Sequence, residues 1–258
     1  MKPDYKNWMP KGMVASTAAA SMGCATLSLL AKHKHLGNPL IPGALMALGI
    51  VGGTATTWMY LMYNAFSYDG KRQMSRQIIE GIAQYVKLPE DGIGLDVGCG
   101  SGALTITCAK HNPTSRFIGI DRWGPEYASF NQKLCQDNAK AEQVENVEFR
   151  HGDANRLDFP DETFDAVTSN YVYHNITGVN RQKLLLETLR TLKKGGTFAI
   201  HDIMSKERYG DMDAFVAKLK QMGYAKVELI DTTNNMFMSP FEATWMALSG
   251  SKLLVGTK

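Results

Sequence analysis

Two long stretches without a charged residue stand near the beginning of the chain. No Asp, Glu, Lys or Arg occurs from Gly12 to Ala31 or from Leu36 to Tyr68. Since charged residues make up 21% of the sequence, two adjacent runs of this length are not expected by chance. A helix that crosses a membrane needs about 20 predominantly apolar residues. The sequence therefore predicts a separate N-terminal unit, residues 1–68, that folds as a hairpin of two apolar helices.

The two apolar runs differ in their capacity to enter a membrane alone. The second is rich in Leu, Ile, Val and Met, whereas the first is mostly Ala, Ser and Thr. On an insertion scale where Leu or Val contributes only about −0.3 to −0.6 kcal/mol, the first run is marginal and needs a partner helix. Gly and Pro in the connection, residues 31–43, predict a turn. Small residues at four-residue spacing let helices approach closely, and we expect Ala19, Gly23, Gly49 and Gly53 at the contact.

The flanking charges predict an orientation for this hairpin. Basic residues are more numerous at its two ends than in its turn, which favours a cytoplasmic location for both ends and for the domain that follows. A buried helical subdomain or an apolar dimer interface would also explain the composition. A secretory signal peptide is disfavoured, because no clear small-residue cleavage site separates the two runs. The basic residues are Lys2, Lys6, Lys11, Lys71, Arg72 and Arg76 at the ends, against Lys32 and Lys34 in the turn.

Composition argues against several other classes of protein. The chain carries 28 Lys and Arg against 25 Asp and Glu, a net charge of +3, which is too small to predict a nucleic-acid-binding protein. The four cysteines form no CxxC pair, so neither a disulfide framework nor a structural metal site is expected. They are Cys24, Cys99, Cys108 and Cys135.

From residue 69 to residue 258, short apolar runs alternate with amphipathic stretches. This pattern is typical of a parallel sheet with crossover helices. It predicts an α/β, doubly wound, mostly parallel seven-stranded sheet with an antiparallel last strand. The predicted helices are 71–88, 103–110, 125–141, 181–192 and 212–222, and the predicted strands are 92–97, 116–120, 147–150, 164–170, 196–203, 225–231 and 252–257.

The segment GLDVGCGSGALT at the end of the first predicted strand is the most informative. Gly98, Gly100 and Gly102 permit a tight turn into a helix and expose backbone N–H groups to a ligand. Asp121 ends the next strand, where an acidic residue suits the hydroxyls of a ribose. The same glycines also satisfy the dinucleotide fingerprint, so alone they leave a nicotinamide cofactor open.

Three further features narrow this choice. Asp96 precedes the glycines by two positions, Asp153 follows the third strand, and the last strand is reversed. With these features, residues 71–258 resemble the class I S-adenosylmethionine-dependent methyltransferases. Within that family LDFPDETFDAV, YHNI and LKKGGTFAIHDI are similar to the quinone C-methyltransferases and their small-molecule relatives.

The resemblance implies S-adenosyl-L-methionine as the cofactor and a role for each matching residue. The loop with Asp96 and the three glycines would hold the methionine part, and Asp121 would bind the ribose. Asp153 with Ala154 would contact the adenine, and Asn170 would lie beside the sulfonium. Trp123 would pack on the adenine or cover the sheet edge. No metal is implied.

Two histidines and a tyrosine are the candidates for catalysis. His174 and His201 lie at the ends of the fourth and fifth strands, the edge where open α/β sheets bind their ligands. Tyr171 shares this location, as do Tyr173 and Asp202. Each histidine also has a structural interpretation, as a ring bonded to a loop, and the tyrosines have one as packing over the pocket.

Together these features predict a methyltransferase that is anchored to the lipid bilayer with its catalytic domain facing the cytoplasm. Anchoring raises the local concentration of a membrane-dissolved acceptor, so a hydrophobic or lipid-like small molecule is the expected substrate. Two other hypotheses remain at the level of sequence. One is a nicotinamide-dependent oxidoreductase that uses the same glycine loop, and the other is a non-catalytic membrane scaffold that retains the fold.

Overall fold

The computed structural model describes residues 2–34, 38, 40–124 and 129–258. The chain divides into two units, of which one runs from Asn7 to Arg76. The other comprises the segment up to Lys6 together with Gln77–Lys258. The sequence-based division lies after residue 68, where the charge-free run ends, whereas the structural unit continues into the start of the third helix.

The N-terminal unit contains the helices α1, Lys11–His33, and α2, Leu40–Phe66. By length and composition, both could cross a membrane. Only 6% of the most apolar window of each helix is buried, which is unlike the core helix of a soluble protein. Part of the predicted turn, residues 35–37 and 39, lies outside the described residues. The large apolar side chains exposed on these helices include Met22, Leu27, Leu29, Leu30, Leu40, Ile41, Leu48, Ile50, Val51 and Leu61.

Serine and glycine form the contact between α1 and α2. Ser21 Oγ donates to the Gly49 carbonyl at 2.6 Å, and Ser28 Oγ donates to the Pro42 carbonyl at 2.6 Å, which makes the helices antiparallel. A Cβ atom on Gly49 would lie 3.2 Å from the backbone of Ser21. The predicted role of Gly49 in close approach is confirmed.

The prediction for Gly23 is wrong, because a Cβ atom there would meet nothing within 4 Å. Ala19 is likewise exposed, since the contacting stripe on α1 is shifted by two residues, to Ser21, Ala25 and Ser28. Pro42 differs as well, because it lies within the first turn of α2 rather than in the connection. Proline is tolerated there, where the missing N–H would have no helical partner.

The second unit is built on one seven-stranded sheet in the order β3-β2-β1-β4-β5-β7-β6. The first five strands pair in parallel, and β7 runs antiparallel to both β5 and β6. The predicted fold class is therefore confirmed. The strands are β1 Ile93–Val97, β2 Arg116–Asp121, β3 Val147–His151, β4 Phe164–Asn170, β5 Leu192–Ile203, β6 Lys226–Asp231 and β7 Ser251–Thr257.

Helices connect these strands, and side-chain caps fix where several of them begin. Asn131, Asn180 and Asp211 each accept a hydrogen bond from a backbone N–H in the first turn of the following helix. Residues 125–128 of the predicted helix 125–141 lie outside the described part of the chain. The helices are α3 Met74–Ala83, α4 Ala103–His111, α5 Gln132–Ala141, α6 Arg181–Arg190, α7 Lys206–Tyr209, α8 Met212–Gln221 and α9 Pro240–Trp245, with a 3₁₀ turn at Tyr173–Asn175.

The strand order places the carboxyl ends of β1, β2, β4 and β5 side by side. The reversal of order beside β1 leaves a crevice at this edge, where open α/β sheets bind ligands. Buried apolar side chains of the strands, such as Leu95, Ile118, Val167 and Ile200, form the core beneath it. The candidate site residues lie at or just after the carboxyl ends of these four strands and of β3.

Candidate cofactor site and catalytic residues

The loop between β1 and α4 is held by glycines in the left-handed region. Gly98, Gly100 and Gly102 have φ values of 76°, 55° and 81°, which disfavour any residue with a Cβ atom. A Cβ atom on Gly98 would overlap Val172, and one on Gly102 would lie 2.9 Å from Phe149. At Gly100 a Cβ atom would meet nothing within 4 Å. The loop is therefore packed at both ends and open at its centre.

Asp121 connects the open centre of the loop to β2. Its Oδ2 accepts from the Gly100 N–H at 2.9 Å, and its Oδ1 accepts from the Trp123 N–H at 2.7 Å. The indole N–H of Trp123 donates to the Gly100 carbonyl at 3.0 Å. Each carboxylate oxygen retains a lone pair for a ligand hydroxyl. The sequence-predicted residues at 100, 121 and 123 are thus brought together.

Asp96 lies under the loop instead of in the crevice. It is fully buried, and its carboxylate accepts from the hydroxyls of Thr105 at 2.6 Å and Thr168 at 2.9 Å. Burial raises the pKa of Asp96 to about 6, although these hydroxyls oppose the shift. Asp96 therefore connects β1 to α4 and β4. It would act on a ligand only indirectly, by holding the glycine loop in position.

Asp153 and Ala154 follow β3 at the far side of the crevice. Asp153 Oδ1 accepts from the backbone N–H of Asn155 at 2.8 Å and from its amide at 2.7 Å. The hydrogen bond from the Asn155 backbone lowers the pKa of Asp153, so this exposed carboxylate stays ionised. Ala154 packs against the hydrophobic core. Their contact with adenine stays a prediction.

His201 and Tyr171 are tied into the ends of β5, β6 and β7. The ring nitrogens of His201 lie 2.9 Å from the Asn170 amide oxygen and 3.0 Å from Thr232 Oγ1. Burial lowers the pKa of His201 to about 3, which keeps the ring neutral. The Tyr171 hydroxyl lies 2.9 Å from Ser251 Oγ, and burial raises the pKa of this phenol. His201 thus holds the side chain of Asn170, and Tyr171 holds the start of β7 at Ser251.

His174 is the third candidate, and it lies in the 3₁₀ turn that follows β4. Its Nδ1 is 2.5 Å from the carboxylate of Asp202, and its side chain is 16% exposed. The guanidinium of Arg181 donates to the backbone carbonyls of Tyr173 and His174, each at 3.1 Å, and so fixes the turn. Unlike His201, which is completely buried, His174 is partly exposed to solvent at the carboxyl edge of the sheet.

The sequence alone predicts no role for Thr105, Thr168, Arg181 or Tyr209. Their partners are distant in sequence, and only the fold brings them together. Asp202 shares the predicted strand end with His201, and neighbouring residues in a strand point to opposite faces. That alternation was a usable signal that His201 and Asp202 have different partners.

Other reactive groups in the described residues have structural roles. No group of three or more His, Cys, Asp or Glu side chains within residues 2–34, 38, 40–124 and 129–258 could hold a metal ion. Burial raises the pKa of the Cys99 thiol, and Cys135 Sγ donates to the Gly100 carbonyl at 3.1 Å. Cys99 in the loop and Cys135 on α5 are both buried, and their roles are structural.

Comparison with known proteins identifies similar domains. Residues 95–200 match a family described as a methyltransferase domain. The uncharacterized methyltransferase YcgJ of Bacillus subtilis is 31% identical over 128 residues, which are 50% of this chain and 47% of that protein. A demethylmenaquinone methyltransferase of Bacillus licheniformis is 30% identical over 129 residues, or 49% of this chain and 51% of that protein. The similarity therefore spans about half the length of each relative.

A solved methyltransferase structure has a similar fold. Phosphoethanolamine N-methyltransferase 2 of Haemonchus contortus, in complex with S-adenosyl-L-methionine, superposes with a TM-score of 0.52. The alignment covers 76% of this chain and 54% of that one, at 16% identity. At this identity the likeness concerns the fold alone.

Proposed function

We propose that this chain, whose residues 95–200 match a methyltransferase domain family, is a class I S-adenosylmethionine-dependent methyltransferase that transfers a methyl group from that cofactor to a hydrophobic, lipid-like small molecule at a membrane. The observation that carries the proposal is the open centre of the glycine loop at Gly100, with the carboxylate of Asp121 beside it. The antiparallel β7 between β5 and β6 also differs from the 3-2-1-4-5-6 order of the dinucleotide-binding fold. The strand order favours this cofactor over a nicotinamide, whereas the glycine loop and the carboxylate suit a nucleoside of either kind.

The residues of the crevice fit the cofactor as follows. Gly100 lets a ligand approach the loop backbone where a Cβ atom would intrude, and Asp121 has acceptor capacity left for two ribose hydroxyls. Asp153 offers a carboxylate to the exocyclic amine of adenine, and Asn170 is the last residue of β4, at the edge where the sulfonium would lie. S-adenosylmethionine supplies a methyl group already activated on a sulfonium. The protein's task is to align the acceptor with that methyl group and to exclude water.

The hairpin supports a membrane-dissolved acceptor. Its two helices expose Leu, Ile, Val and Met side chains over most of their surface, as expected for contact with acyl chains. A domain tethered beside the bilayer meets lipophilic substrates at a high effective concentration. Relatives of known activity act on demethylmenaquinone, so a prenylated quinol is the first candidate acceptor. The flanking Lys and Arg residues favour a catalytic domain on the cytoplasmic side.

Transfer of a labelled methyl group tests this function. The full chain in detergent micelles is incubated with methyl-labelled S-adenosylmethionine and a chloroform–methanol extract of bacterial membranes, reduced with dithionite. We expect label in a lipid-soluble product. Label that appears only in water-soluble products would contradict the lipid-like acceptor, and no label in any fraction would favour the scaffold hypothesis.

Membrane insertion is tested by placing a charge on the exposed face of α2. A Lys near the centre of a spanning helix costs about 2.5–3.5 kcal/mol, so Val51→Lys, at a side chain that is 67% exposed, raises the fraction extracted by alkaline carbonate. Met222→Lys, at a 55% exposed methionine after α8, is the matched control and leaves extraction unchanged. Complete extraction of the unmodified protein by carbonate would refute insertion.

A further inference from the structure

A buried carboxylate orients the ring of His174. Asp202 Oδ1 lies 2.5 Å from Nδ1 of that ring, and the Asp202 side chain is completely buried. The same carboxylate accepts from the backbone N–H of Ile203 at 2.7 Å and from the Tyr209 hydroxyl at 2.9 Å. It also accepts from the backbone N–H of His174 at 3.1 Å. Four donors therefore fix the position of Asp202, and Asp202 fixes the ring.

This pairing determines which nitrogen of His174 carries the proton. Burial alone would raise the pKa of Asp202, but the hydrogen bonds from His174, Ile203 and Tyr209 hold it below its ordinary value. An ionised carboxylate is an acceptor only, so Nδ1 of His174 is the donor. The lone pair of the neutral ring is then on Nε2, which bonds to no side chain in the described part of the chain. The ring is preorganised to accept a proton at Nε2.

The turn that carries His174 borders the cofactor loop. Val172 fills the space that a Cβ atom on Gly98 would occupy, so the loop and the turn are in contact two residues before His174. Arg181 holds the turn from the other side through the carbonyls of Tyr173 and His174. His201, by contrast, is fully buried with both ring nitrogens near side-chain partners. Among the three catalytic candidates, only His174 combines exposure with an unused basic nitrogen.

We infer that His174 is the general base of the reaction, that Asp202 is its positioning residue, and that the methyl acceptor carries a weakly acidic hydroxyl such as that of a phenol, enol or quinol. This inference rests on the proposed function and specifies its substrate class. An acceptor that is already an anion, such as a carboxylate, would not require such a base. A neutral hydroxyl does, because it is a poor nucleophile until its proton is removed.

The step balances in protons and electrons. The hydroxyl proton of the acceptor passes to Nε2 of His174, and an electron pair on the oxygen forms the new bond to the methyl carbon. The pair of the broken sulfur–carbon bond stays on sulfur, which becomes a neutral thioether. If the bond forms instead at a ring carbon conjugated with that oxygen, the ring hydrogen leaves as a proton and the oxygen regains one. In both cases one proton is released to solvent.

Nitrogen NMR of the histidine rings tests the dyad without turnover. In the ¹⁵N-histidine-labelled full chain, with the His174 signals assigned by their loss in His174→Gln, we expect a proton on Nδ1 and an unprotonated Nε2. Asp202→Asn shifts the proton toward Nε2, because a neutral amide no longer requires a donor at Nδ1. A neutral ring of His174 with its proton on Nε2 and none on Nδ1 in the unmodified protein would overturn the inference. The measurement on the unmodified chain stands even if Asp202→Asn fails to fold.

Activity and product analysis complete the test. With the reduced lipid extract as acceptor, His174→Gln lowers label transfer about 10²- to 10⁴-fold, the usual contribution of general base catalysis, while S-adenosylhomocysteine affinity in calorimetry stays within about twofold of the unmodified protein. His111→Gln, at an exposed residue of α4, is the control and keeps full transfer. Full transfer by His174→Gln, or a methylated amine as the product, would refute the inference and leave the proposed function intact. No transfer by the unmodified protein would refute the function itself.

Discussion

Replacing Asp121 by Ala lowers the affinity for S-adenosylmethionine by one to two orders of magnitude and leaves the domain folded. The substitution removes the acceptor for the N–H groups of Gly100 and Trp123 and the proposed acceptor for the ribose. Hydrogen bonds to a charged group contribute about 1.5–3 kcal/mol, or roughly 10- to 150-fold in affinity. Isothermal titration calorimetry on the full chain in detergent measures this loss directly.

A conservative variant and a control make the result for Asp121 specific. Asp121→Asn keeps the shape and one oxygen, so we expect an affinity between those of the unmodified protein and Asp121→Ala. Asp137→Ala removes a carboxylate that is exposed on α5 and paired with Lys133, and it leaves the affinity unchanged. An Asp121→Ala protein that binds the cofactor as tightly as the unmodified chain would show that the nucleoside lies elsewhere.

Alanine substitutions at Gly98 and Gly100 separate folding from binding. Both residues have positive φ, which costs a residue with a Cβ atom about 1–2 kcal/mol. Gly98→Ala also forces a methyl group into Val172, and overpacking adds about 1–3 kcal/mol. We therefore expect Gly98→Ala to lower the free energy of unfolding by about 2–5 kcal/mol, the sum of these two costs. At Gly100 the space is open, so Gly100→Ala loses stability only through its backbone conformation.

For cofactor affinity, we expect the larger loss in Gly100→Ala, whereas for stability we expect it in Gly98→Ala. A methyl group at Gly100 points into the space that the cofactor is proposed to use, so Gly100→Ala binds S-adenosylhomocysteine at least about tenfold more weakly, a loss of 1.4 kcal/mol or more. Urea unfolding in detergent gives the stability, and calorimetry gives the affinity. Equal stability of the two variants would contradict the packing at Gly98, and unchanged affinity of Gly100→Ala would contradict the open cradle.

Much of the fold was predictable because the strands of the sheet are short apolar runs bounded by polar turns. Where the prediction was inexact, local signals competed with tertiary ones. The sequence predicts a loop before β7, whereas the structure has helix α9 there, which begins at a capping box of Ser239 and Glu242 and is only 6 residues long, too short to show a helical periodicity in the sequence. Strand β5 begins at Leu192, whereas the sequence predicts its start at residue 196. The difference arises because two lysines and two glycines follow Leu192, and these residues are not typical of a buried strand.

The candidate site was predictable to a different degree in its two parts. Gly98, Gly100, Gly102 and Asp121 are recognisable from spacing, because a strand–turn–helix that exposes its backbone needs glycines at fixed positions. The contact between His174 and Asp202 was not predictable, because 28 residues separate them and only the parallel pairing of β4 with β5 brings them together. On the hairpin, composition indicated two apolar helices but could not show which face of α1 contacts α2.

The identity of the bound nucleoside is the most direct test of the central claim, which is that the loop at Gly100 and the carboxylate of Asp121 hold S-adenosylmethionine. The full chain in detergent is titrated by calorimetry with S-adenosylhomocysteine and, separately, with NADH. We expect saturable, one-to-one binding of S-adenosylhomocysteine that Gly100→Ala weakens, and no heat of binding with NADH. Saturable binding of NADH in the absence of any response to S-adenosylhomocysteine would contradict the claim and favour an oxidoreductase.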